Sequence, residues 1–402
     1  MVKQFTQSPA VQAGVVYAFG GLAFALGSLL LARAYSPEEF AEIALILAVS
    51  QLATTLGPVG ANTIINRNTV DPSFYLLRYV SLSSAGVGVL SALVAWGLYD
   101  ISVPLSLLTA VICVASGINL VGSAFFRSRG RFAMALGLTQ GHNAVLAFAA
   151  VVVVLLSSTS VVLPLSIIAG AYVISSVVGW FGAFDLERRD DAISVAEFPW
   201  HEGRTIIATT IAIIFLLQLE RLSIPKLLGR EALATFAVLA AVAGSPFRVL
   251  QMGVGYTLVP RLRNASSGTE IHKIIGSEST VAAVLAISAC VVVWLITQPF
   301  VDWFLQGKYE ISKLMIVAAM VSGLGKVLAS FGSAGVTALG TGRDLSRLRT
   351  GSWISVCVAL IGAAVGAKFG LAGLLFGISV GWIFNASWSL ALSRSVLAAA
   401  KR

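Results

Sequence analysis

The chain has 402 residues, of which 57% are hydrophobic and 11% charged, and its mean hydropathy is +0.90. A soluble domain carries roughly 25% charged residues, so this composition excludes a soluble protein and indicates an integral membrane protein. The net charge of +9 would suggest nucleic-acid binding in a soluble protein, but here membrane topology accounts for much of it and no nucleic-acid partner is expected.

Apolar runs long enough to span a bilayer as helices, about 20 residues each, recur along the whole chain. The strand-length alternation of a membrane barrel is not seen, so the predicted class is all-α. The N-terminal run is too long for a signal peptide and is predicted to be a retained first helix. Twelve transmembrane helices are predicted, at 10–33, 40–64, 76–98, 103–126, 132–156, 160–184, 204–227, 232–258, 276–298, 311–339, 350–368 and 371–393.

The longest polar interruption lies near the middle of the chain. It predicts an N-terminal six-helix bundle at 1–184, a cytoplasmic linker at 185–203 and a C-terminal six-helix bundle at 204–402. With both termini in the cytoplasm, eighteen Lys and Arg residues fall on that side, six on the other side and three within helices. Cytoplasmic loops of membrane proteins carry an excess of Lys and Arg, so both termini are predicted to be cytoplasmic.

The two halves of the sequence resemble each other. "LLARAYSPEEFAEIALI", after the first helix, is similar to "SIPKLLGREALATFAVL", which begins 193 residues later, and "GANTIINR" matches "GVGYTLVP" at the same offset. Six is an even number of helices, so both halves insert the same way up. The pattern predicts two bundles related by a parallel pseudo-two-fold axis along the membrane normal, facing each other across a central cavity.

Two basic residues lie deep within predicted helices. Arg248 is about ten residues from the cytoplasmic end of the eighth helix, roughly 15 Å deep, with Gln251 at i+3 on the same face. Lys326 is comparably deep in the tenth helix. A charge at mid-bilayer costs about 2.5–3.5 kcal/mol, so it usually faces a cavity or a partner. We predict a cationic cavity lined by both residues; the alternative for each is a buried cation paired with a carbonyl or with the one nearby acid.

Glu220 and Arg221 stand side by side in the periplasmic third of the seventh helix. Adjacent helical residues point about 100° apart, so only one of the two need face the cavity. The alternative is that Arg221 extends to the outer headgroups with Glu220 as its local counter-charge. The candidate substrate-binding residues are Arg248, Lys326, Arg221, Glu220 and Gln251.

No enzymatic chemistry is indicated. The sequence lacks the G-x-x-x-x-G-K-[ST] phosphate loop of ATPases, and no acid within a helix is paired with a histidine or a second acid. No catalytic residue, metal or cofactor is expected.

Weaker polar and small-residue patterns predict contacts between helices. His142 and Asn143 form a buried polar patch, in which the histidine is interpreted as structural. Ser116 and Asn119 share a helix face and are expected to hydrogen-bond between helices. The glycines of "GLLFGISVG" (373–381) recur every four residues and predict close helix packing.

Four stretches of the sequence carry a family resemblance. In chain order they are "ARAYSPEEFAEIALI", "GPVGANTIINR", "FFRSRGRF" and "QLERLSIPKLLGREALATFAVLA". Over about residues 10–390 the chain resembles bacterial polysaccharide flippases of the O-antigen (Wzx) type, in the multidrug/oligosaccharidyl-lipid/polysaccharide (MOP) exporter superfamily. It departs from them in having Glu220 where an Asp is common, and in being rather short.

The resemblance implies a twelve-helix, MOP/MATE-like fold in the bacterial inner membrane. It also implies that undecaprenyl-pyrophosphate-linked oligosaccharide, for O-antigen or exopolysaccharide, moves from the cytoplasmic to the periplasmic leaflet by alternating access. The expected partners are this anionic lipid-linked oligosaccharide, membrane lipids, a coupling ion, and a polysaccharide polymerase with its chain-length regulator. Which glycan is carried stays open.

Three other functions compete with this interpretation. A cation-coupled multidrug antiporter of the same superfamily needs acidic cavity residues, whereas the deep residues here are basic. A membrane-embedded glycosyltransferase or polymerase would have a large periplasmic loop, and the predicted outer loops are short. A flippase for lipid-linked peptidoglycan precursor would also need basic cavity residues for its anionic substrate, but it usually has fourteen helices. The charge pattern favours an anionic substrate.

Overall fold

The computed structural model describes residues 9–67, 70–187, 200–263, 265 and 267–399, and the regular elements within them are helices. Eleven stretches of these residues are long and apolar enough to cross a membrane. The last stretch, Gly342–Ala399, has 58 residues and contains two helices. The described chain therefore holds twelve helical segments of sufficient length, and they follow the predicted spans one by one.

The helices are numbered in chain order. Their bounds are α1 Pro9–Ala34, α2 Pro37–Leu56, α3 Ala61–Arg67, α4 Phe74–Tyr99, α5 Val103–Ser128, α6 Phe132–Leu156, α7 Val162–Phe184, α8 Trp200–Leu227, α9 Arg230–Leu239, α10 Ser245–Arg263, α11 Gly268–Leu305, α12 Lys313–Leu339, α13 Gly342–Gly366 and α14 Gly370–Ala399. A π-helical turn, Ala240–Gly244, joins α9 to α10, and a 3-10 turn, Ala367–Phe369, precedes α14.

Local capping fixes where several helices begin. Before α2, the Ser36 hydroxyl accepts a hydrogen bond from the Glu39 amide, and the Glu39 carboxylate accepts one from the Ser36 amide. Thr341 and Asp344 form the same reciprocal pair before α13. Each pair satisfies two amides that lack a partner inside the helix, which stabilises the helix start.

The second predicted helix, 40–64, is not continuous, and that boundary is corrected here. α2 ends at Leu56, and α3 begins only at Ala61. Val59 and Gly60 between them have positive φ angles of 47° and 81°, a conformation that no α-helix contains. The apolar run continues through this turn, so hydropathy alone gave no sign of the break.

The eighth predicted helix is interrupted by the π-helical turn at Ala240–Gly244, which ends two residues before Pro246. Proline has no amide hydrogen to donate and its ring crowds the preceding turn, so the wider turn accommodates it. The carbonyl of Val242, four residues before Pro246, lies within this irregular turn. Arg248 follows at the start of α10, and single π-turns of this kind occur frequently at functional sites.

The chain forms two compact units. One consists of Met1–Ala25 together with Phe215–Arg402, and the other of Leu26–Ile214. The boundaries between units fall within α1 and α8. Most of the predicted linker, 185–203, lies outside the described residues.

Close glycine packing organises α13 and α14 in the first of these units. A Cβ atom on Gly377 would overlap the carbonyl oxygen of Gly362, and one on Gly373 would overlap that of Gly366. Only glycine lets the two backbones approach this closely. The prediction of close helix packing for residues 373–381 is confirmed.

Hydrogen bonds between helices link the second unit, Leu26–Ile214. The hydroxyls of Thr54 and Ser116 lie 2.6 Å apart, and Asn119 Nδ2 donates to the carbonyl oxygen of Leu138 at 2.7 Å. These contacts confirm the interhelical bonding predicted for Ser116 and Asn119. The His142 ring stacks on Tyr172 with 5.4 Å between centroids, in agreement with its interpretation as a structural histidine.

Candidate functional site

The deep charged residues lie on three helices of the unit formed by Met1–Ala25 and Phe215–Arg402. Glu220 and Arg221 are on α8, Arg248 is on α10 and Lys326 is on α12. The structure therefore places all four predicted charged residues in one compact unit.

Two glycines on α12 position Lys326. In the sequence Ser322-Gly-Leu-Gly-Lys326, a Cβ on Gly323 would lie 2.5 Å from the Phe247 ring, and one on Gly325 would lie 3.0 Å from Trp382 Cβ. Phe247 of α10 and Trp382 of α14 thus pack directly against the α12 backbone. Because both neighbours approach so closely, the segment that carries Lys326 is held in place from two sides.

Lys326 forms a buried ion pair with Glu220. Its Nζ donates to both carboxylate oxygens of Glu220, each at 3.0 Å, and Ser322 Oγ donates to Glu220 Oε1 at 2.8 Å. The Glu220 side chain is 5% exposed and that of Lys326 18%. The Lys326 Nζ also lies 5.6 Å from the centre of the Trp382 ring, within cation–π range.

Lys326 is paired with the one nearby acid, Glu220. This is the alternative that the sequence left open for it, and its role in lining a cationic cavity stays a prediction. The carboxylate of Glu220 is engaged by Lys326 and Ser322, so its ion-pair partner is not the adjacent Arg221. The roughly 100° between neighbouring helical side chains explains why two adjacent residues serve different partners.

Arg221 and Arg248 share a different neighbour. Their guanidinium carbons lie 5.6 Å and 5.0 Å from the centre of the Phe24 ring on α1. Phe24 is 8% exposed, whereas both arginines keep part of their surface accessible. Within the described part of the chain, neither arginine forms an ion pair with a carboxylate. Contact with an aromatic ring attracts a cation by about 0.5–2 kcal/mol but leaves its charge unneutralised.

The charged residues therefore sort into two groups, of which the sequence indicated only the pairing of Lys326 with an acid, as an alternative. Arg248 is grouped with Arg221, and Lys326 with Glu220. Gln251 lies one turn after Arg248 on α10 and is half-buried; among the described residues no hydrogen bond joins it to the four charged side chains. As a substrate-binding residue, Gln251 stays a prediction.

Sequence reasoning missed Phe24 and Trp382, the aromatic partners of these cations. Each lies in a long apolar helix among several other aromatic residues, so no local pattern distinguishes them. No cluster of three or more His, Cys, Asp or Glu side chains that could hold a metal occurs among the described residues.

Several solved transporter structures resemble this chain. An inward-facing multidrug resistance MATE family transporter of the MOP superfamily shares 15% sequence identity, with a TM-score of 0.70 over 96% of this chain and 99% of that one. An outward-facing MATE family transporter shares 16% identity, with a TM-score of 0.60 over 98% and 96% of the two chains. A MOP superfamily transporter from Pyrococcus furiosus Vc1, in which reverse polarity of the binding pocket suggests a different function, shares 16% identity, with a TM-score of 0.58 over 98% and 96%.

The chain is thus a multi-pass membrane protein with the twelve-helix fold of MOP superfamily transporters. Residues 30–314 match the family model described as polysaccharide biosynthesis protein, and the chain belongs to that family. No curated protein matches it. Membership of a polysaccharide biosynthesis family and a MOP/MATE-like fold, both expected from the sequence, are confirmed.

Proposed function

We propose that the protein is a secondary transporter that flips undecaprenyl-pyrophosphate-linked oligosaccharide from the cytoplasmic to the periplasmic leaflet by alternating access. The observation that carries the proposal is the convergence of Arg221 and Arg248 on Phe24 without a carboxylate partner in the described chain. Membership of a polysaccharide biosynthesis family supports a glycan substrate, and the MOP fold supports transport.

The charge balance of the site suits a diphosphate. Lys326 and Glu220 neutralise each other, which leaves the positive charges of Arg221 and Arg248. A diphosphate that links a lipid to a sugar carries one negative charge on each phosphate, so its total charge is equal and opposite to that of the two arginines. Guanidinium groups donate to phosphate oxygens in a planar, bidentate arrangement, whereas an ammonium acts as a point charge. A diphosphate that leaves headgroup water would therefore regain its lost interactions at this site.

The competing antiporter function requires an acid that is free to bind a cation. The Glu220 carboxylate already accepts hydrogen bonds from Lys326 and Ser322, and a second cation would have to displace Lys326. For the Pyrococcus furiosus transporter, reverse polarity of the binding pocket suggests a different function, so a transporter with this fold need not be a multidrug antiporter. We therefore favour an anionic substrate.

Ligand-induced stabilisation of the purified protein distinguishes these functions. A ligand that binds only the folded state raises the thermal midpoint by mass action. We expect undecaprenyl pyrophosphate to raise the midpoint in detergent, and expect no effect of uncharged undecaprenol or of a lipophilic cationic dye. Stabilisation by the cationic dye alone would contradict the proposal and support the antiporter.

We further propose a location in the bacterial inner membrane with both termini cytoplasmic, near a polysaccharide polymerase and its chain-length regulator. The eighteen-to-six distribution of Lys and Arg supports this orientation. A C-terminal alkaline phosphatase fusion should be inactive and a C-terminal green fluorescent protein fusion should be fluorescent, since each folds on one side only. High phosphatase activity would refute the orientation.

A further inference from the structure

We propose that Glu220 is an internal anion that occupies Lys326 in the absence of substrate and is displaced when a phosphate of the substrate binds Lys326. The inference rests on the proposed function and adds its regulation. It makes Lys326 a second, latent phosphate site, and it makes Glu220 the residue that sets selectivity for diphosphate over monophosphate.

The ion pair is arranged so that it can be opened. An ammonium has three donors, and Glu220 accepts from Lys326 at both of its oxygens, each at 3.0 Å. The Lys326 side chain is 18% exposed while the carboxylate is 5% exposed. The Lys326 side chain is thus more accessible to an incoming anion than the Glu220 side chain is.

Ser322 gives the displaced carboxylate a partner. Its hydroxyl donates to Glu220 Oε1 at 2.8 Å and lies one helical turn before Lys326. When Lys326 turns toward a phosphate, Glu220 keeps this hydrogen bond instead of being left without any. A buried charge that loses all of its partners is strongly destabilising, so this bond lowers the energy of the opened state.

The position of Glu220 connects the two cationic groups. Arg221 is the next residue on α8, so the ion pair and the arginine pair are adjacent along one helix. A ligand with one phosphate can use either the arginines or Lys326, and at Lys326 it must compete with Glu220. In the proposed bound state, a diphosphate anchored by the arginines presents its second phosphate to Lys326 at high effective concentration. Competition from Glu220 for Lys326 thus weakens the binding of monophosphates more than the binding of diphosphates, and this difference in affinity makes the site selective for diphosphates.

Affinity measurements on the purified full-length protein test this. Binding of undecaprenyl pyrophosphate and undecaprenyl monophosphate would be measured by microscale thermophoresis at one fixed salt concentration. Glu220→Gln keeps the shape and accepts hydrogen bonds but removes the charge. We expect it to tighten monophosphate binding by about tenfold, the lower end for close charge pairs, with a smaller change for the diphosphate.

A matched double variant locates the effect. In Glu220→Gln/Lys326→Gln the tighter monophosphate binding should disappear, because Lys326 is the group that receives the phosphate. If Glu220→Gln does not yield folded protein, Glu220→Asp serves instead, since its shorter side chain weakens the hold on Lys326 and should give a smaller tightening.

The outcomes separate this inference from the proposed function. Failure of the unmodified protein to bind undecaprenyl pyrophosphate would overturn the proposed function, and this inference with it. Normal diphosphate binding by the unmodified protein, combined with unchanged or weaker monophosphate binding by a folded Glu220 variant, would overturn the inference alone and leave Glu220 a purely structural partner.

Discussion

Replacing both Arg221 and Arg248 with alanine is expected to abolish surface glycan display in a flippase-null strain, while the protein still inserts into the membrane. Both guanidinium groups contact Phe24, and neither pairs with a carboxylate in the described chain. Their removal therefore leaves no acid unpaired. Hydrogen bonds to charged groups contribute about 1.5–3 kcal/mol each, so every arginine lost should weaken diphosphate binding by roughly ten- to a hundredfold.

Conservative variants separate charge from geometry. Arg248→Lys keeps the charge but loses the planar fork, and an intermediate level of glycan is expected. Arg343→Ala removes an exposed arginine outside the site and should leave display unchanged, which makes it the matched control. Glycan is detected on blots of cell extracts and membrane levels are measured by immunoblot. Near-normal glycan from a well-expressed Arg221→Ala/Arg248→Ala variant would contradict the role of these arginines.

The sequence was sufficient to locate the charged residues but not to pair them. Hydropathy predicts where the transmembrane helices lie along the chain, and these positions place Glu220, Arg248 and Lys326 within helices. Pairing depends on which helices approach each other and at what rotation. Here that is decided by Gly323 and Gly325, whose missing side chains admit Phe247 and Trp382. No pattern in a single helix reports such a contact.

Adjacency in sequence was misleading for Glu220 and Arg221. Neighbouring residues of opposite charge suggest a local pair, but on a helix their side chains diverge by about 100°. The carboxylate pairs with Lys326, 106 residues further on. The guanidinium contacts Phe24 of α1, nearly two hundred residues earlier.

The parallel two-fold relation between the two six-helix halves, inferred from their sequence similarity, stays a prediction.

Replacement of Lys326 by alanine is expected to reduce both the amount of folded protein and glycan display. The Glu220 carboxylate is 5% exposed, and without Lys326 it keeps only the hydrogen bond from Ser322. Removing one member of a buried ion pair costs about 3–5 kcal/mol, because the remaining charge is buried without compensation. Lys326→Arg keeps the charge within reach of Glu220 and should retain folding and partial activity.

A neutral pair at the same positions distinguishes loss of folding from loss of function. Glu220→Gln/Lys326→Ala leaves no charge at either position, so its thermal midpoint in detergent and its membrane level should recover toward those of the unmodified protein. Glycan display should remain low, because the latent phosphate site at Lys326 is gone. Recovery of both folding and display would mean that Lys326 serves only to neutralise Glu220. Persistent loss of folded protein would instead show that the unpaired Glu220 charge is not the source of the destabilisation, and would point to the lost contact between the Lys326 ammonium and the Trp382 ring.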